Sequence, residues 1–312
     1  MSKFLKRKII KPVSFIFSFL GLQAMKAVFI LLPWNASLKF GMFCTGLAAK
    51  LMSKRFKNNM RNIALALPEK SEKEVYHICM DSWRNMGRTA AEFIKCARMS
   101  KEKLLEITEL RNSAFFDECV KNNRPFILHV GHFPNWEVFG IAISARGVEK
   151  AVVAQGLKNP FIDKEIERMR SLYNGRVLST DNPFFSCVKW LKSGKPLCIL
   201  SDQNAYKSEV YSKFFGRWCA CSPLTPLLSI KLQIPVIPAK LYRENGKFIG
   251  EALEPVFPSK DYSQEAVENM IDVLNKFYED WIKERPADWL WAHNRWKREK
   301  NAPQYRQESS HE

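Results

Sequence analysis

The stretch His129-Val130-Gly131-His132-Phe133-Pro134-Asn135-Trp136-Glu137 sets a base, His132, five residues before a carboxylate, Glu137. A carboxylate that accepts one imidazole N–H fixes the tautomer and leaves the other ring nitrogen as a base, the logic of a Ser-His-Asp triad without its serine. The nucleophile is then a hydroxyl of the substrate itself. The apolar run 126–130 ends at Gly131, and Pro134 suits the first turn of a helix, where a missing N–H would have no partner anyway. His132 is therefore expected in a strand-to-helix turn, with Glu137 in the helix. Five residues along a continuous helix separate two side chains by roughly 140°, so the turn must bring the pair together. An isolated H-x4-E is more often a turn histidine followed by an acid that suits a helix N-terminus. Its neighbours have to decide.

Stepping outward, residues 72–95 carry Val75, Ile78, Cys79, Trp83, Met86 and Phe93 at helical spacing. Short apolar runs follow at 125–130, 151–154, 196–200 and 235–241, with helical patterns between them at 134–145, 159–173, 183–192 and 223–232. Strands alternating with helices predict an α/β fold with a mixed, largely parallel sheet flanked by helices. An antiparallel strand at 248–253 and a closing helix at 264–285 complete the pattern. No G-x-S-x-G elbow, phosphate loop, G-x-G-x-x-G or H-E-x-x-H is present, so neither a cofactor nor a metal is expected. The eight cysteines contain no C-x-x-C pair and read as reduced thiols.

The formal charge of +17 is unevenly spread. Before Glu69 there is no acidic residue, while twelve Lys and Arg are present, from Lys3 to Arg61; the remainder has 37 basic residues against 32 acidic. The same segment holds an apolar stretch at 13–34 interrupted by Lys26 alone among charged residues. Cations mixed with large aliphatics suit anionic lipid headgroups rather than nucleic acid. The stretch is long enough to cross a bilayer, yet basic residues flank both sides, so crossing and interfacial geometries both remain. The expected organisation is a basic hydrophobic membrane anchor at 1–60, an α/β domain at 61–300 and a polar tail at 301–312.

The stretch 127–140 resembles the H-x4-D/E motif of glycerolipid acyltransferases, and its form His132-Phe133-x-Asn135-Trp136-Glu137 resembles the late acyltransferases of lipid A biosynthesis, the lauroyl and myristoyl transferases. Further blocks are similar in the same order: Arg61 to Pro68, Trp83-Arg84-Asn85-Met86-Gly87 through Glu92, Asn159-Pro160 followed by Arg170, Gly194-Lys195-Pro196 to Asp202-Gln203, Phe214-Phe215-Gly216, Pro235 to Arg243, and Trp289 to Lys297. Two departures stand out. Pro134 replaces the family's usual Gly, and 217–223 is an unusual version of the stretch after Phe-Phe-Gly.

The resemblance implies transfer of a fatty acyl group from acyl carrier protein to a hydroxyl of a lipid A precursor. It places the catalytic domain at the cytoplasmic face of the inner membrane of a Gram-negative bacterium, in contact with membrane lipids. His132 and Glu137 are the expected catalytic pair. Asn135, Arg170, Asp202 and Arg243 are the expected substrate-binding residues: Arg170 as an oxyanion or phosphate ligand, Asp202 beyond the carboxyl end of a strand, where open α/β sheets place ligands, and Arg243 toward an anionic headgroup. The Trp289 to Trp296 cluster reads equally as core packing or as a membrane-interface belt. Rival readings are another H-x4-D/E acyltransferase with a glycerophospholipid or glycolipid acceptor and an acyl-CoA donor, or a non-catalytic basic membrane or nucleic-acid binding protein.

Overall fold

The computed structural model describes residues 11–179 and 183–303. The basic cluster Lys3, Lys6, Arg7 and Lys8 and most of the polar tail expected at 301–312 lie outside the described residues. The core is a seven-stranded sheet of β1 (Thr108–Arg111), β2 (Ile127–Val130), β3 (Ala151–Ala154), β4 (Arg176–Ser179), β5 (Leu197–Leu200), β8 (Val236–Glu244) and β9 (Lys247–Ala252). Its order is β1-β9-β8-β2-β5-β3-β4, and every neighbouring pair is parallel except β8 with β9. The expected α/β class and its antiparallel strand are both found. Where strands were expected to begin at Pro125, Pro196 and Pro235, they begin after the proline, which has no N–H to give to a ladder.

Four strands escaped the sequence reading. β1 and β4 are half-exposed edge strands of four residues without a clear apolar period. The antiparallel pair β6 (Tyr211–Phe214) and β7 (Arg217–Ala220) forms a separate hairpin. It turns through Phe215 and Gly216, with φ of 51° and 70°, so the family-like Phe-Phe-Gly is a hairpin turn that needs positive φ twice.

Helices at the N-terminal end are α1 (Lys11–Leu31), α2 (Trp34–Leu51), α3 (Ser53–Ala66) and α4 (Glu72–Cys96), followed by α5 (Lys101–Glu106), α6 (Ala114–Lys121), α7 (Trp136–Ala145), α8 (Pro160–Arg170), α9 (Pro183–Lys192), α10 (Leu224–Leu232) and α11 (Gln264–Glu284). Ser71 and Glu74 form a capping box that starts α4 where the sequence placed it. α2 and α3, expected within the anchor, pack onto the domain. Gly41 of α2 meets Gly87 of α4 so closely that a Cβ on Gly41 would lie 2.4 Å from the Gly87 carbonyl oxygen. On α3, Asn59 donates to the Trp291 carbonyl at 2.5 Å and accepts from the Trp83 indole at 3.2 Å. The small residues of this cation-rich segment serve helix-to-helix packing, which net charge does not register.

α1 presents a broad apolar surface to the outside, and α2 exposes Phe43, Leu47 and Leu51 as well. Val13, Ile16, Phe17, Leu20, Val28 and Leu31 are exposed on α1, whereas Phe29 is buried. Lys26 pairs with Glu165, Phe19 stacks at 5.7 Å from Phe161, and the Lys95 ammonium donates to the carbonyls of Phe29 and Leu32 at 2.9 and 2.7 Å, a cation at a helix C-terminus. α1 is thus held along its length by one face.

Candidate active site

β2 and β5 are adjacent and parallel, with Val130 opposite Leu200 in register. Two residues past each of these positions stand His132 and Asp202. Neighbouring strands lie about 4.8 Å apart, so equal two-residue extensions bring the side chains into contact. The His132 ring Nδ1 is 2.7 Å from Asp202 Oδ1, and the His132 backbone N–H donates to Oδ2 at 2.9 Å. The Trp289 indole N–H donates to the same Oδ2 at 2.8 Å. Asp202 is 1% exposed. Burial pushes its carboxyl upward, but the His132 ring, the two hydrogen bonds from His132 and the one from Trp289 outweigh it and hold the group well below the usual carboxylate range. An ionised Asp202 accepting from Nδ1–H makes Nε2 the free lone pair.

This arrangement corrects the expected partnership. The carboxylate on the His132 ring is Asp202, and Glu137 turns elsewhere: Arg170 donates to it through Nε at 2.9 Å and Nη2 at 2.5 Å, a bidentate pair. Glu137 lies in the first turn of α7 (Trp136–Ala145), whereas Arg170 ends α8 (Pro160–Arg170). α7 itself starts two residues later than expected, because Asn135 is its N-cap and accepts from the N–H groups of Glu137 and Val138, both at 3.1 Å. Pro134 precedes the cap rather than opening the helix.

Two expected substrate ligands are committed to the framework. Asn135 is 1% exposed, and its amide donates to the Thr89 carbonyl at 3.0 Å and to Glu92 at 3.1 Å. Arg243 grips the same Glu92 through Nε at 2.7 Å and Nη2 at 2.6 Å. Glu92 on α4 therefore links β8 to the turn that carries His132, and neither Asn135 nor Arg243 lines the cavity described next. An arginine at the end of an apolar strand looks solvent-facing in a sequence; here α4 covers it.

A cavity of about 1030 Å³ opens beside the His132 ring. Glu137 and Arg170 line it near His132; Leu128, Ile143, Val152 and Leu227 give it apolar walls, and Lys150, Gln155, Gln203, Asn204, Lys207 and Glu209 add polar groups. Leu128 and Cys198 face it from the sheet, while His129, one residue along β2, points to the opposite face and stacks on Tyr278 of α11 (Gln264–Glu284) at 4.7 Å between rings. Such a cavity can hold a long apolar chain with its polar end at a base. The geometry suits transfer of a lipid-like group. Residues 2–298 match the family model of the bacterial lipid A biosynthesis acyltransferases.

The chain belongs to that family. It is similar to lipid A biosynthesis acyltransferase 2 of Shigella flexneri, with 25% identity over 238 residues and 74% of each chain covered. Among solved structures it aligns with the crystal structure of the 1-acyl-sn-glycerophosphate acyltransferase of Thermotoga maritima, covering 77% of this chain and 99% of that one at a TM-score of 0.36 and 14% identity. Membership of this family makes the chain an acyltransferase.

For this acyltransferase, the C-terminal aromatic block is interior structure. Trp289, Trp291, Trp296 and Arg295 are all buried, which removes the membrane-belt reading of the cluster. Arg295 donates to the Gln203 carbonyl at 2.5 Å and to the Ala220 carbonyl at 3.0 Å, so it fixes the loop just after Asp202, while Trp289 fixes Asp202 itself. Trp289 was missed as a site residue: its block was part of the family resemblance, but nothing local to it marks the contact with Asp202. Trp136, 5.0 Å from His132 between ring centroids, was missed in the same way. Among the described residues no group of three or more His, Cys, Asp or Glu is placed to hold a metal.

Proposed function

We propose that this acyltransferase moves a fatty acyl group from acyl carrier protein to a hydroxyl of a lipid A precursor at the cytoplasmic face of the bacterial inner membrane. The observation that carries the reading is the His132–Asp202 pair beside a cavity of about 1030 Å³ with largely apolar walls. His132 Nε2 takes the proton of the acceptor hydroxyl as its oxygen attacks the thioester carbonyl. Collapse of the tetrahedral intermediate releases the carrier thiol, which receives the proton from His132. Arg170 spends Nε and Nη2 on Glu137, which leaves Nη1 for a substrate oxygen; Glu137 then serves the reaction by aiming that guanidinium. The basic surface favours an acidic carrier protein over a neutral donor.

Purified protein given a lipid A precursor with dodecanoyl-carrier protein or dodecanoyl-CoA tests the assignment. The expected product is one acyl ester heavier than the acceptor by mass spectrometry, formed faster from the carrier protein. Acylation of a lysophospholipid in preference to the lipid A precursor, or equal use of CoA, would favour the glycerophospholipid reading.

Membrane contact in this proposal is interfacial. α1 is the one helix among the described residues long and apolar enough to cross a bilayer, yet its contacts with Glu165, Phe161 and Lys95 tie it beside α8 and α4. Phe161, which meets Phe19 of α1, is itself exposed, and so are Leu157 and Tyr206, which line the cavity. In this proposal an acceptor lipid enters the cavity past Leu157 and Tyr206. Neutralising Lys3, Lys6, Arg7 and Lys8 together should weaken vesicle binding by about 1 kcal/mol per charge at an anionic surface. Co-sedimentation with anionic liposomes measures this, and unchanged recovery after a salt wash would mean that α1 crosses the bilayer.

A further inference from the structure

One ionisable group on the cavity wall has no part in the chemistry above. Lys150, just before β3, is 2% exposed and lines the cavity. Its Nζ lies 3.6 Å from where a Cβ on Gly140 would stand, ordinary van der Waals distance, so the amine reaches the middle of α7 on the cavity wall.

Glu137 favours the charge of this amine and Arg170 opposes it. Among the described residues no hydrogen bond or ion pair engages Lys150 Nζ, and Glu137, the acid that shares its wall, is already gripped by Arg170. Leu128, Ile143 and Val152 are apolar, and burial pushes the Cys198 thiol up, so it stays neutral. Burial also pulls the lysine itself downward. A buried amine without a partner is costly in either protonation state, and the cost disappears only if solvent or a ligand atom in the cavity supplies an acceptor. A saturated alkyl chain supplies none.

We infer that Lys150 is a specificity-determining residue that limits how deep the acyl chain enters. Chains ending short of Nζ leave its solvent in place, whereas longer saturated chains must strip that solvent away. This rests on the reading of the cavity as the acyl site.

The test is a chain-length profile of kcat/KM for saturated donors of eight to sixteen carbons, with one detergent-dispersed lipid A precursor. Lys150→Met keeps an unbranched side chain that ends where Cε of the lysine stands and removes the amine. It should raise kcat/KM for chains two to four carbons longer than the preferred one by about tenfold relative to that preferred chain, the size of effect a stranded buried polar group produces. Lys150→Arg, longer and always charged, should shift the profile toward shorter chains. An unaltered profile in folded Lys150→Met protein overturns the inference, and should that variant fail to fold in thermal melts, an unaltered profile in Lys150→Arg does so. Absence of transfer from every donor by the wild-type enzyme is a different result, which would remove the acyl reading itself.

Discussion

His132→Ala should lower kcat by about 10² to 10⁴, the range expected for loss of a positioned general base, while the protein stays folded. The loss follows from Nε2, the one lone pair left on the ring once Nδ1 is engaged by Asp202 at 2.7 Å. Stability should change little, because the buried carboxylate is not stranded: the backbone N–H of residue 132 at 2.9 Å and the Trp289 indole at 2.8 Å still donate to it. The measurement is single-turnover acyl transfer at saturating donor, alongside a thermal melt. Near-normal transfer by the folded variant would eliminate His132 as the base.

Asp202→Asn should be nearly as damaging, and it separates the observed pairing from the expected one. Asn offers one carbonyl oxygen where Asp offers two, and three donors converge on the carboxylate: the His132 backbone N–H, the His132 ring and the Trp289 indole. If the amide oxygen keeps the backbone and indole donors, its NH2 faces Nδ1 and forces the proton onto Nε2, so the base is lost without loss of shape. A fall of about 10² to 10⁴ in kcat is expected, with little change in KM. Glu137→Gln should fall less, since Glu137 makes no hydrogen bond to the ring. The reverse ranking would restore Glu137 as the orienting acid.

A pH signature accompanies the second variant. The folded-state pKa of Asp202 is depressed, so its ionised form adds stability that is fully present above the unfolded value of about 3.9 and is lost as pH falls toward the folded value. Wild-type melting temperature should therefore drop more steeply below about pH 4 than that of Asp202→Asn. Parallel curves would mean that the carboxylate is not held as described.

Much of the fold was legible because parallel strands buried on both faces write short apolar runs, and the helices between them write their own period. β2, β5 and β8 and the helices α4, α7 and α11 were placed from these patterns to within a few residues. The half-exposed β1 and β4 and the β6–β7 hairpin write no such signal. α2 and α3 carry Lys39, Lys50, Lys54 and Lys57 on outward faces while Gly41 and Asn59 do the packing, so their cations are what the sequence shows most plainly.

The sequence by itself determined the chemistry available: a histidine in a strand-to-helix turn, an acid five residues on, and an ordered series of blocks that resembles one acyltransferase family. It also marked Asp202 as a residue beyond a strand end and Arg170 as an oxyanion or phosphate ligand. Which carboxylate meets the histidine was decided by tertiary structure alone. Spacing along the chain favoured Glu137, but the parallel register of β2 and β5 sets position 132 beside position 202, across 70 residues of chain. The same folding turned Arg243 inward onto Glu92 and brought Arg170 to Glu137. A hydrogen bond depends on distance in space, and the strand order that sets that distance has no local mark in the sequence.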